Sequence, residues 1–145
     1  MIKIICVGKL KEKYLIDLVN DYKNRISKYT KIEIIELKDS DIKSESIEIN
    51  KHINPSEYTI GLDIKGNMLD SVLFKEKIES IYNKSYSVIT FIIGGSNGIE
   101  EDVKRKCNEL ISFSSLTFPH GLFRGILLEQ IYRSYKIINN ESYHK

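Results

Sequence analysis

The chain has 145 residues, 41% of them hydrophobic and 29% charged, with a net charge of +2. That balance fits one ordinary folded domain over residues 1–145 and argues against intrinsic disorder, and no apolar run approaches the ~20 residues of a membrane span. The charge is uneven: residues 1–43 carry ten basic and seven acidic side chains, 44–100 five and eight, and 101–145 seven and five, so the two ends are mildly basic and the middle acidic.

Ile2 to Val7 is an apolar, β-branched run closed by Gly8, which predicts a first strand. Because Met1-Ile2-Lys3 opens directly into it, no signal-peptide pattern is expected, and the chain reads as cytoplasmic. Leu15, Leu18, Val19, Tyr22 and Ile26 recur mostly at intervals of three and four, one face of an amphipathic helix over about Lys13–Lys28. Lys31 to Leu37 predicts a second strand. A polar loop follows, then a short helix from about Ser44 to Ile53, stopped by Pro55.

Tyr58 to Ile64 predicts a third strand, followed by a turn at Lys65-Gly66-Asn67. Asp70 or Ser71 can cap the next helix, whose apolar side carries Val72, Phe74, Ile78, Ile81 and Tyr82. Val88 to Ile93 is almost continuously apolar, as a central parallel strand covered on both faces should be. A helix over about Glu100–Cys107 has Glu100, Glu101 and Asp102 at its positive N-terminus. Leu110 to Ser114 predicts a weaker fifth strand, and the last helix runs from about Gly121 to Asn139. Strands and helices alternate, so the expected fold class is α/β with a mainly parallel sheet. Cys6 and Cys107, far apart, are expected to be reduced thiols in core positions.

In such sheets ligands bind beyond the carboxyl ends of the strands. That places a candidate cleft at Leu62–Gly66, Gly94–Gly98 and Phe113–His120. The sequence Gly94-Gly95-Ser96-Asn97-Gly98 is neither the dinucleotide fingerprint nor a P-loop, and by itself it is equally a plain tight turn. His52, His120 and His144 are scattered without metal-ligand spacing, so no metal is expected. Ser96 lacks the surroundings of a nucleophile. The last helix is apolar over more than one stripe, which predicts burial on two sides, in a core or between subunits. Arg124, Glu129 and Arg133 stand on it as ion-paired or solvent-facing charges, or as groups that face a polyanion or a substrate base.

The segments FIIGGSNG, LISFSSLTFPH, LLEQIYRSYKI and the terminal ESYHK, with IICVGKLKEKY and LDIKGNML, cover nearly the whole chain. Together they resemble the ribosomal RNA large subunit methyltransferase H family of the SPOUT superfamily. The resemblance implies a C-terminal trefoil knot, although chains are in general unknotted. It also implies S-adenosylmethionine as methyl donor, a homodimer, and 23S rRNA in the assembled 70S ribosome as substrate, methylated at N3 of a pseudouridine in helix 69. Carried over by position, the donor would lie against Leu62, Gly94, Phe113, Ser114, Ser115, Leu116, Thr117 and Phe118. Arg133, Tyr143 and His144 would serve the target base, with Arg124 a further candidate. A SPOUT enzyme acting on tRNA and a non-catalytic RNA-binding module are the alternatives.

Two features depart from the family pattern. The stretch between Leu37 and Pro55 is short, and glycines stand at Gly121 and Gly125 of the last helix. An interior helical glycine costs about 1 kcal/mol relative to alanine, which close packing between subunits would rationalise and ordinary sequence drift explains equally well. At Gly94, a glycine is expected to let backbone approach the ligand where a β-carbon would clash.

Overall fold

A computed structural model describes residues 1–143. Ten elements alternate: β1 (Ile2–Val7), α1 (Lys13–Ser27), β2 (Ile32–Leu37), α2 (Ile42–Asn50), β3 (Tyr58–Met68), α3 (Ser71–Asn83), β4 (Ile89–Ile93), α4 (Glu101–Lys106), β5 (Glu109–Ser112) and α5 (His120–Ile138). The strands pair in parallel in the order β2-β1-β4-β3-β5.

Parallel strands need crossovers, and the crossover helices bury both faces of the sheet. That is why β1 and β4 are buried at every position. Strand alternation divides their side chains between two cores. Ile2, Ile4, Cys6, Ile89, Phe91 and Ile93 join the larger core with residues of α1, α3 and α5. Ile5, Val7 and Ile92 join the smaller one with Ile49 of α2 and Val103 of α4. Each fully buried Ile or Phe contributes about 1.5–3 kcal/mol of transfer free energy.

Capping explains where two helices begin. The Asp41 carboxylate accepts the Ser44 N–H at 2.9 Å, so α2 starts at Ile42, two residues before the expected Ser44; it ends at Asn50, short of the expected Ile53. Asp70 caps α3 by accepting the Leu73 N–H at 2.8 Å, which leaves Ser71 as the first helical residue.

The structure overturns the turn expected at Lys65-Gly66-Asn67. β3 runs through it to Met68, and its register against β5 shifts between Leu62 and Asn67, so that both pair with Ile111. The intervening residues form a bulge. Gly66 serves it by close approach, since a β-carbon there would lie 2.7 Å from the Ile111 nitrogen. β5 ends at Ser112, two residues before the expected Ser114, because its partner strand stops there.

The last helix is indeed buried on two sides, but within its own chain, where it packs against α1 and α3. Gly125 lets α1 come close: a β-carbon there would lie 2.6 Å from Leu18 Cδ2. The intrachain α1–α5 contact thus accounts for this glycine without a second subunit. Cys6 is fully buried, whereas Cys107 is half-buried at the end of α4.

Candidate functional site

Register alignment brings the ends of β4 and β5 and the point where β3 bulges to one level. Leu62 of β3 pairs with Ile93 of β4 on one side and with Ile111 of β5 on the other. These three buried side chains form the floor of a cleft of about 380 Å³ at the carboxyl edge of the sheet. The loop after β4, Gly94 to Gly98, makes one wall, and the segment after β5 makes another. The expected meeting of the three loops is therefore present, with a volume in the range of small-molecule sites.

Of the eight positions assigned to the donor, Leu62, Gly94, Phe113, Ser114, Leu116, Thr117 and Phe118 line the cleft. Ser115 lies in the same segment, is exposed, and does not line it. The segment is shaped by its own hydroxyls. Ser112 Oγ donates to the Ser114 carbonyl at 3.0 Å, and Ser114 Oγ accepts the Leu116 N–H at 3.0 Å. That second bond turns Leu116 outward, where it is 68% exposed at the mouth. Phe113 is wedged edge-on between Phe74 and Phe123, with centroids 5.5 and 5.2 Å away, so aromatic packing holds this wall against α3 and α5.

Gly94 also has a use within its own loop, beside the approach to a ligand expected of it. A β-carbon there would lie 2.5 Å from the Gly98 carbonyl oxygen of its own loop, so the missing side chain lets the loop close on itself. Gly95 and Gly98 then pair as an antiparallel bridge. Gly98 supplies the reversal with φ +76°, and its Cα faces open space.

Sequence reasoning passed over Asp63, Ile93, Ile111 and His120 as individual lining residues. Asp63 is the one carboxylate among the cleft's lining residues, and Lys104 pairs with it at 2.9 Å. Desolvation pushes this carboxyl up, but bonds from the Lys104 ammonium and the Lys65 N–H outweigh it and hold Asp63 below its ordinary range. His120 opens α5 and reaches toward Gly8, where a β-carbon would lie 3.2 Å from its Nε2. Gly8, with φ +96°, provides both the turn and the room. The signal for Asp63 was its place inside the Leu62–Gly66 stretch expected to border the cleft.

The remaining predicted residues lie elsewhere. Arg124 is 1% exposed and belongs to the fold: Nη1 donates to Glu36 Oε2 at 2.6 Å, and Nη2 to the Gly8 carbonyl at 3.0 Å. Arg133 pairs with Glu129 one turn away at 3.3 Å, and its guanidinium lies 4.8 Å from the centre of the Tyr143 ring. Arg133 and Tyr143 are thus brought together but do not line the cleft. With a rise of about 1.5 Å per residue, Arg133 is roughly 20 Å along α5 from His120. His144 falls outside the described residues. Among the described residues no cluster of His, Cys, Asp or Glu could hold a metal ion.

The lining suits a small molecule with an aromatic ring. An apolar floor can take a purine ring and nearby backbone can supply donors and acceptors, while the one lining carboxylate, Asp63, is already neutralised by Lys104.

Comparisons with known proteins agree with this architecture. Two solved structures share the fold: a probable methylase family protein from Haemophilus influenzae, with TM-score 0.58 and 10% identity over 99% of this chain and 70% of that one, and the SpoU methyltransferase AviRb from Streptomyces viridochromogenes, with TM-score 0.51 and 8% identity over 98% and 62%. Among curated relatives, the ribosomal RNA large subunit methyltransferase H of Caldicellulosiruptor saccharolyticus is 44% identical over the full length of both chains. The protein of that name from Clostridium botulinum is 43% identical over 99% of each. A family model described as predicted SPOUT methyltransferase matches residues 1–144. With the cleft formed by these three loops and likeness over its whole length, this chain belongs to the ribosomal RNA large subunit methyltransferase H family of SPOUT methyltransferases.

Proposed function

We propose that this protein transfers a methyl group from S-adenosylmethionine to N3 of a pseudouridine in helix 69 of 23S rRNA, acting as a homodimer on the 70S ribosome in the cytoplasm. The observation that carries the reading is the cleft itself: seven of the eight donor positions line one 380 Å³ space at the carboxyl edge of the sheet. Leu62, Ile93 and Ile111 would hold the adenine side, and the Phe113–Phe118 segment would close over it. When bound, the donor supplies an activated methyl on a sulfonium.

The chain's own contribution is placement and proton management. Methylation at N3 releases a proton, and His144 is the group proposed to accept it, directly or through water. Arg133 would stabilise negative charge on the carbonyls that flank N3, with Tyr143 beside it. Within one chain Arg133 and Tyr143 stand away from the cleft, which supports a site built from one copy's cleft and its partner's tail.

The test has two parts. Calorimetry should detect S-adenosylmethionine binding to the purified protein, because an RNA-binding module without a donor site would show none. Mass spectrometry of 23S rRNA from a strain lacking the gene should then show loss of N3 methylation at the helix 69 pseudouridine. Unchanged methylation there would refute the proposed substrate and point to another RNA, such as tRNA.

A further inference from the structure

The C-terminal tail leaves α5 along a defined path. Asn139 caps the helix, and its side-chain amide donates to the Tyr135 carbonyl at 2.7 Å. Asn140 then takes φ +57°, the left-handed conformation that asparagine tolerates better than most residues. Its N–H donates to the Ile137 carbonyl at 3.0 Å, and the Glu141 N–H donates to the Lys136 carbonyl at 2.8 Å. This pair of bonds is a Schellman closure, which folds the chain back over the helix it has just left.

Side chains hold the reversal. Glu141 Oε1 accepts the Tyr29 hydroxyl at 2.6 Å, and Oε2 accepts the Lys136 ammonium at 2.8 Å. Tyr29 is itself placed by stacking on Tyr135 at 6.0 Å. Beyond Glu141 the chain makes a third contact. The Tyr143 ring meets Tyr132 edge-on at 5.2 Å, with the Arg133 guanidinium against it. Tyr132 is supported in turn by Tyr22 and Arg25 of α1, at 6.0 and 5.7 Å.

Neither the Schellman closure nor a half-exposed ion pair is needed to cover the core. Glu141 is 41% exposed, and exposed pairs add little to stability. Terminal residues normally fray, and this many directional bonds on a short tail oppose that fraying.

We propose that Tyr29, Lys136 and Glu141 form a latch that positions the C-terminal tail, and with it Tyr143, for the RNA substrate. The inference rests on the reading above that the tail serves the target base. These three are positioning residues: they reach RNA through the tail, and the donor cleft does not include them. Ordering the tail beforehand removes an entropic cost from the encounter with RNA and fixes Tyr143 beside Arg133.

The test compares Glu141→Ala, Tyr29→Phe and Glu141→Gln with the full-length wild type, using hydrogen exchange of the C-terminal peptide and steady-state methylation of 70S ribosomes. Glu141→Ala is expected to raise exchange in that peptide alone and to lower kcat about tenfold, with KM for S-adenosylmethionine unchanged. Tyr29→Phe should move both readouts in the same direction by less. Glu141→Gln, whose amide oxygen still accepts from Tyr29, should restore much of the loss. Unchanged exchange in Glu141→Ala would overturn the latch. Raised exchange with unaltered kcat would overturn its positioning role. If wild-type protein bound S-adenosylmethionine but left ribosomes unmethylated, the functional reading would fail, and exchange would still decide whether the latch exists.

Discussion

Replacing Arg124 with methionine separates a structural role for this residue from a role in RNA binding. Arg124 is 1% exposed and ties α5 to the β1–α1 turn through the Gly8 carbonyl and the Glu36 carboxylate. Glu36 also accepts the Leu10 N–H at 3.3 Å, so the ion pair organises the whole turn. Methionine keeps most of the apolar stem and removes both donors. The Gly8 carbonyl loses a buried charged donor, at about 1–3 kcal/mol. The Glu36 side chain is 37% exposed and can recover hydration, which limits its share to about 1 kcal/mol. Removing Nε, a buried donor with no acceptor among the described residues, returns part of the loss. The net destabilisation should be about 2–3 kcal/mol, or roughly 5–10 °C in Tm for a chain of this size. Thermal unfolding by circular dichroism measures it, with RNA affinity determined separately on the folded variant. A Tm within about 2 °C of wild type, together with weakened RNA binding, would refute the structural assignment and place Arg124 on the substrate.

Gly94→Ala should force the loop after β4 apart, because the new carbon would lie 2.5 Å from backbone oxygen. At about 1–3 kcal/mol of strain at the cleft, calorimetry should show weaker donor binding with little change in overall secondary structure. Burial pushes the Cys6 and Cys107 thiols up to about 11, so neither is a thiolate at neutral pH. Iodoacetamide at pH 7 should therefore label the native protein slowly and the unfolded protein fast, as followed by intact mass. The Lys136 ammonium and the Tyr29 hydroxyl hold the Glu141 carboxyl below its ordinary range. Its contribution to tail ordering is therefore full above about pH 4.3, the usual glutamate value. It is lost as pH falls through the lowered folded value. Tyr29 is shifted upward by its bond to Glu141, so at the alkaline end protection is lost as pH rises through the raised tyrosine value. Hydrogen exchange of the C-terminal peptide against pH, corrected for intrinsic rates, checks both limits.

Much of the cleft was legible because its elements are local. Continuous apolar runs such as Val88–Ile93 announce buried parallel strands, and strand ends in such sheets are where ligands bind. The residues assigned to the donor from the family resemblance fall there, apart from Ser115. The failures came where a glycine's local reading competed with a distant partner. Gly66 reads as a turn in a Lys-Gly-Asn context, yet it sits in a strand because β5 presses on it. Gly94 reads as room for a ligand, and within its own loop it also makes room for Gly98. Gly125 reads as a site of close packing between subunits and is instead the point where Leu18 of the same chain enters. For Gly66 and Gly125 the decisive atom belongs to another segment, and periodicity carries no information about it.

Residue order alone determined the alternation of five strands and five helices, the α/β class and the edge at which a ligand would bind, because hydrophobic period and capping act over a few residues. Tertiary structure decided the rest. The strand order β2-β1-β4-β3-β5 sets Leu62, Ile93 and Ile111 side by side. A fold that joins Glu36 to Arg124 turns a candidate RNA ligand into a buried clamp. The packing of α1 on α5 brings Tyr29 to Glu141, 112 residues apart, and so sets where the tail lies. Such contacts depend on which elements become neighbours, and that is settled only when the whole chain buries its apolar faces together.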